Sequence, residues 1–225
     1  MTANLAVRHG HDHAHVGAQH AAPQLAQAST RSLASSIQTL KSNVSQSDAF
    51  RKFSTPGPAA FLRNLRLGPL QRIAEVYVPF HLYRVNYDLA HEHQSRLFAI
   101  DAVDGSLDLF EFPSIPDRDT LVQLETRNAL PTNLSDNALE NLLREKVLRV
   151  IFQQGFFKLR EANLTVSRVP VDLHLAYWLA FHGRDAGAIG ARVGASTVRC
   201  RVLDATRNRI EGAKASALFE TWLSA

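Results

Sequence analysis

Cysteine is almost missing from this chain. Cys200 is the only one among 225 residues, so no disulfide can form within it. A lone Cys in a strand-like segment reads as a small core hydrophobe, and no Cys/His pairing marks it as a nucleophile. No apolar run approaches the roughly 18 residues of a membrane-spanning helix, and no membrane partner is expected. Met1–Gly10 lacks the apolar core of a signal peptide, so the expected address is the cytoplasm. Blocks of like charge are absent too. The net charge of +4 comes mostly from Arg residues scattered among acids, which describes a solvated surface. The densest basic group, Arg199, Arg201, Arg207 and Arg209, has no interleaved aromatics, and nucleic acid is not an expected partner. No motif names a reaction.

What is present is enough apolar residue, 45% of the chain, for a substantial core. The first 28 or so residues contribute little to it. They are rich in His, Ala, Gln and Gly, without aromatics, and cannot offset their own ordering entropy. This expected disordered tail carries His9, His11, His13, His15 and His20. Its alternating imidazoles can wrap Zn²⁺ or Ni²⁺, although only Asp12 adds a carboxylate, so a solvated tail is the plainer reading. Leu33, Ile37, Leu40 and Val44 then fall at spacings that predict a short amphipathic helix over 31–45. Pro56, Gly57 and Pro58 close this arm, taken as residues 1–55.

Two later segments can be set side by side. Tyr83-Arg-Val-Asn-Tyr87 leads through a short loop to Leu97-Phe-Ala-Ile-Asp-Ala-Val-Asp-Gly-Ser-Leu107. Tyr177-Trp-Leu-Ala-Phe181 leads through a longer, glycine-rich loop to Cys200-Arg-Val-Leu-Asp-Ala-Thr-Arg-Asn-Arg-Ile210. Each is an apolar strand running into Asp-Ala, a polar turn, and a further apolar position. Asp104-Gly105 supplies the positive φ of a tight hairpin, and Asn208 reaches the same region at modest cost. The pattern predicts an α+β fold. Two repeated helix-plus-antiparallel-strand units, over 57–117 and 118–225, would form one compact domain. Helices are expected over 59–67, ended by Gly68-Pro69, and over 136–154. In the second, Leu139, Leu142, Leu143, Val147, Val150 and Ile151 form the buried stripe, with Ser135 or Asp136 as cap. Period-two alternation from Val169 to Phe181 predicts a strand with one core face and one polar face. The reversed phase of Val76, Val78, Phe80 and Leu82 predicts a bulge near Pro79–Tyr83.

The segment Leu97–Leu109 resembles the final hairpin of PepSY-like domains, with its acidic strand end, Gly turn and apolar return strand. Residues 200–212 repeat that pattern, and a helix followed by antiparallel strands is also similar to the cystatin-like order. The resemblance implies a binding or peptidase-restraining module, with no catalytic residues to carry over.

On the polar face of the second strand, Asp172, His174, Trp178 and His182 form the strongest site candidate. Asp172 could orient His174 as a general base or ligand. His182 lies about 26 Å along the strand and could not share a metal with His174. With Arg84 and Asn86 of the first copy, Trp178 and His182 are the expected binding residues. His91-Glu92-His93 reads as a solvated loop, and Gly183–Gly194 lacks the strand-to-helix frame of a phosphate loop. The function expected first is a non-enzymatic module that binds a protein partner or a second copy through an open sheet face. The alternatives are a small-ligand binder or hydrolase-like enzyme using Asp172 and His174, and metal binding by the histidine tract.

Overall fold

A computed structural model describes residues 34–54, 57–89, 92–153, 164–183 and 199–224. The histidine tract and the stretch 184–194 lie outside these residues. The fold is α+β. Strand β1 (Ser35–Leu40) is followed by helices α1 (Gln46–Ser54) and α2 (Pro58–Leu67), then strands β2 (Leu70–Leu89), β3 (Glu92–Asp101), β4 (Phe110–Phe112) and β5 (Leu121–Thr126). Helix α3 (Asp136–Gln153), strands β6 (Leu164–His182), β7 (Arg199–Asp204) and β8 (Arg209–Ile210), and helix α4 (Ala213–Trp222) complete it. Among the described residues, eight strands form one mixed sheet in the order β4-β3-β2-β6-β1-β5, with β7 on β6 and β8 on β7.

The long antiparallel pair β2–β6 runs through the middle, from Leu70↔His182 to Tyr87↔Leu164. Both of its faces are buried. Val76, Val78, Phe80, Leu82, Leu173, Leu175, Tyr177 and Leu179 pack on one face, covered by Phe219 of α4. On the other face two helices cover different stretches of the pair. Ala49 and Phe53 of α1 close over Tyr77, Ala176, Trp178 and Ala180. Leu139, Leu143 and Val147 of α3 close over Tyr83, Val85, Tyr87 and Val166. The apolar phase of β2 therefore changes because the cover moves from one face to the other. The expected irregularity is present, between His81 and Tyr83, but the excess sits on β6, where Val169, Pro170 and Val171 stand opposite Leu82 alone. Pro170 has no N–H to give to a ladder, so the strand leaves its register there.

Two Asp-anchored turns follow the hairpins. Asp101 Oδ1 accepts the amides of Asp104 (3.2 Å) and Gly105 (2.9 Å), and its Oδ2 accepts that of Leu107 (2.8 Å). Asp204 Oδ1 accepts the amides of Thr206 (2.9 Å) and Arg207 (2.8 Å). Gly105 (φ 70°) and Asn208 (φ 55°) supply the left-handed residue of each turn. Ala102 N donates to Pro79 O at 2.8 Å, and Ala205 N to Ala176 O at 3.0 Å.

The expected helix over 31–45 is replaced by β1. Ile37 joins the core beneath α1, whereas Leu40 joins the core on the opposite face. That two-sided division belongs to a strand, and β-branched Ile37 and Thr39 among serines favour it over a helix. β1 pairs antiparallel with β5 and parallel with β6 at Thr39↔His174. The arm's compact part is thus built into the sheet. Its helix begins later, at Gln46, with Ser45 Oγ accepting Asp48 N at 3.2 Å. The helices at 58–67 and 136–153 match expectation. Helix α4 was not expected.

Candidate functional site

The break at Pro170 leaves carbonyls that a ladder would have used, and Arg168 fills the gap. Its guanidinium donates to the carbonyls of Leu82 (3.3 Å), Val169 and Val171 (3.4 Å), and it pairs with Asp172. Arg168 Nε also reaches Asp136 Oδ1 at 3.3 Å, at the first turn of α3. His81, across the ladder from Asp172, donates from Nδ1 to the same Asp136 oxygen at 2.9 Å, while its Nε2 lies 3.8 Å from Asp172 Oδ1. Tyr83 donates its hydroxyl to Asp136 at 3.4 Å, and Arg168 lies over its ring at 5.5 Å. The result is one polar cluster, His81, Tyr83, Asp136, Arg168 and Asp172, at the seam between the cores under α1 and α3.

The hydrogen bond from His81, aided by the Arg168 guanidinium, holds the Asp136 carboxyl below the usual carboxylate range. Burial opposes this and is outweighed. Burial raises the Tyr83 phenol, and Asp136 pushes the same way. An imidazole oriented by a carboxylate is the arrangement that acid–base chemistry needs. No group of three or more His, Cys, Asp or Glu residues suited to a metal occurs among the described residues.

The expected dyad is divided. Asp172 is exposed and engages Arg168 and His81 rather than His174. His174 donates from Nδ1 to Gln38 O of β1 at 3.3 Å, and its burial lowers its basicity. Trp178 and His182 share the face expected of them, but that face is covered. Trp178 is buried beneath the β1–α1 connection, its indole donating to Val44 O at 3.2 Å. His182 is fully buried, with Nδ1 against Gly68 O at 3.2 Å. Their alternation with apolar residues marked them as polar-face positions, yet Ala176 and Ala180, on either side of Trp178, gave α1 a flat surface to dock on. Arg84 is exposed and Asn86 half-buried, both on the opposite face, so the four binding candidates do not converge. Glu92 and His93, expected in a loop, begin strand β3 instead, where His93 pairs with Asp88 of β2 at 3.0 Å. Burial pushes the Cys200 thiol up to about 12, with Glu220 adding to it, so this thiol is no nucleophile at neutral pH.

Sequence reasoning passed over Arg168, took Asp136 only as a helix cap, and considered His81 only beside His91 and His93 as a possible metal ligand. The available signal was Pro170 inside an alternating strand, flanked by Arg168 and Asp172 of opposite charge.

A second candidate lies on the surface. Along α2, Phe61, Leu62 and Leu65 share one face and are 71%, 64% and 60% exposed. Beside it α2 and α4 flank a groove of about 730 Å³ whose floor includes Cys200, with Leu62, Arg66, Arg199, Ala217 and Glu220 along its sides. No family model matches the chain, nor does any curated protein or solved structure. No helix among the described residues is long and apolar enough to cross a membrane.

Proposed function

We propose that this protein is a non-enzymatic interaction module that docks a protein partner, or a second copy, through helix α2. One observation carries the reading: a ten-residue helix that leaves its large apolar side chains in solvent. So short a helix draws its stability from packing, not propensity, and contiguous exposed apolar residues are what association covers. The sheet face around Trp178, first expected to serve, is already taken by β1 and α1. A photo-crosslinking side chain at Leu62 should capture discrete adducts that excess unlabelled chain competes away. The same adducts from a crosslinker at exposed Arg118 would defeat the reading. A cytoplasmic address belongs to this proposal.

We also infer that the molecule arose from two copies of one unit, and that the first copy reaches back to Ser35. The supporting correspondences are pairings. Phe80↔Leu173 and Val76↔Tyr177 exchange roles, as do His81↔Asp172 and Trp178↔Glu75. The parallel bridge Thr39↔His174 answers Tyr77↔Ala129. Asn43 N donates to Ala205 O and Asn133 N to Ala102 O. An experimental structure with Ser35–Leu40 away from His174 would remove the correspondence.

That pairing favours one second reading, a small-ligand binder or hydrolase-like enzyme. The position that holds apolar Trp178 in one copy holds His81 in the other, so nothing in the fold demands a charged cluster there. In this reading His81 replaces His174 as the base beside Asp172. His81→Ala should abolish any hydrolysis of activated esters by the chain, and activity unchanged in that variant would sink it. Binding of Zn²⁺ or Ni²⁺ by His9, His11, His13 and His15 rests on the sequence alone. Calorimetry would oppose it by giving the affinity of an arbitrary His-rich peptide.

A further inference from the structure

Resting on the docking role of α2, we infer that its partner presents an acidic amphipathic helix, with large apolar side chains along one face and Glu or Asp beside them. The groove is concave and helix-flanked, with Leu62, Leu67, Ala213 and Ala217 supplying apolar surface between charged side chains, which is a form that receives an amphipathic helix. Its charge gives the partner's sign. Helix α2 carries Arg66 in its last turn and no acid. Arg66 is exposed and has no ion pair among the described residues. The two acids of the groove are already engaged. Glu220 accepts Cys200 N at 2.7 Å and lies 3.9 Å from Arg199, and Glu211 takes Arg209 at 3.0 Å. What the surface offers an incoming chain is therefore Leu62 in the groove, Phe61 and Leu65 along the same helix, and the exposed charge of Arg66 beside them. Rim charges of this kind select partners and speed their encounter.

An anionic lipid surface shares part of this chemistry. It is flat, however, and would leave the hollow between the helices unfilled while bringing Glu211 and Glu220 towards its own negative charge. The shape favours a peptide.

The full chain should be titrated into three fluorescently labelled synthetic helical peptides: one with Leu at helix-face spacing and Glu beside it, one with those Glu changed to Lys, and one with the Leu changed to Ser. Fluorescence anisotropy should show saturable binding of the first alone. Arg66→Glu, a change at an exposed position, should weaken it about tenfold, and Leu62→Ser should abolish it. Equal binding of the Lys peptide, lost in Leu62→Ser, would overturn the acidic partner and leave the docking role of α2 standing. Binding unaffected by Leu62→Ser, or failure of all three peptides, would overturn the inference outright. So would adsorption to phosphatidylcholine–phosphatidylglycerol vesicles without binding of the Glu peptide.

Discussion

Asp101 and Asp204 occupy matching turns, yet they are held differently. Asp101 uses both oxygens on backbone amides, whereas no hydrogen-bond donor among the described residues reaches Asp204 Oδ2, with Arg207 Nη1 at 3.8 Å. Asn keeps one acceptor oxygen and puts an N–H₂ in place of the other. Asp101→Asn should therefore set a donor against Leu107 N and cost about 1–3 kcal/mol. Asp204→Asn keeps both amide bonds and should stay within about 1 kcal/mol of the parent. Urea denaturation of the two variants would compare them; equal losses would contradict this account. Burial raises both carboxyls above their usual range. The folded chain then holds these protons more tightly than the unfolded chain. The stabilisation this brings is complete below the ordinary Asp range and is lost as pH climbs through the raised value. Asp204→Asn should flatten that decline, visible in melting curves across acid to neutral pH.

Among the elements, α1 is held by one face. Phe53 is fully buried and Phe50 is 54% exposed, three residues apart on the same short helix. Phe53→Ala should cost roughly 3–5 kcal/mol and Phe50→Ala under about 0.5 kcal/mol, measured by chemical unfolding. Similar values for both would mean that α1 does not dock as described. The helices at α2 and α3 were legible because each has a stop or a cap: Gly68-Pro69 for one, Ser135 for the other. Strand β1 was not. Its apolar residues satisfy a four-three-four spacing, and only distant partners, the β5 ladder from Ser35↔Thr126 to Leu40↔Leu121 and the parallel contact with His174, decide for a strand. Helix α4 was hidden because Ala213, Ala215 and Ala217 give no periodic contrast, leaving Phe219 and Trp222 as its anchors. The polar cluster was hidden for a related reason. His81, Asp136 and Arg168 come from three elements, and the Arg168–Asp172 pairing becomes meaningful only once Pro170 has broken the ladder.

At the scale of the whole molecule, β2 and β6 contribute side chains to all three cores. Strand β2 alone, at 20 residues, extends about 66 Å if drawn straight. A single ribbon thus acts as the spine of the protein, and none of the cores can melt while its neighbours stay intact. Thermal unfolding followed by tryptophan emission should coincide with that followed by far-ultraviolet dichroism, and two separated transitions would refute the shared spine. Hydrogen exchange should map the same dependence. The amides of Val78 and Leu175, at the centre of the ribbon, should open only with global unfolding, whereas those of α2 should trade with solvent long before. Helix α2 can therefore loosen, reshape and refasten on another molecule without disturbing the spine.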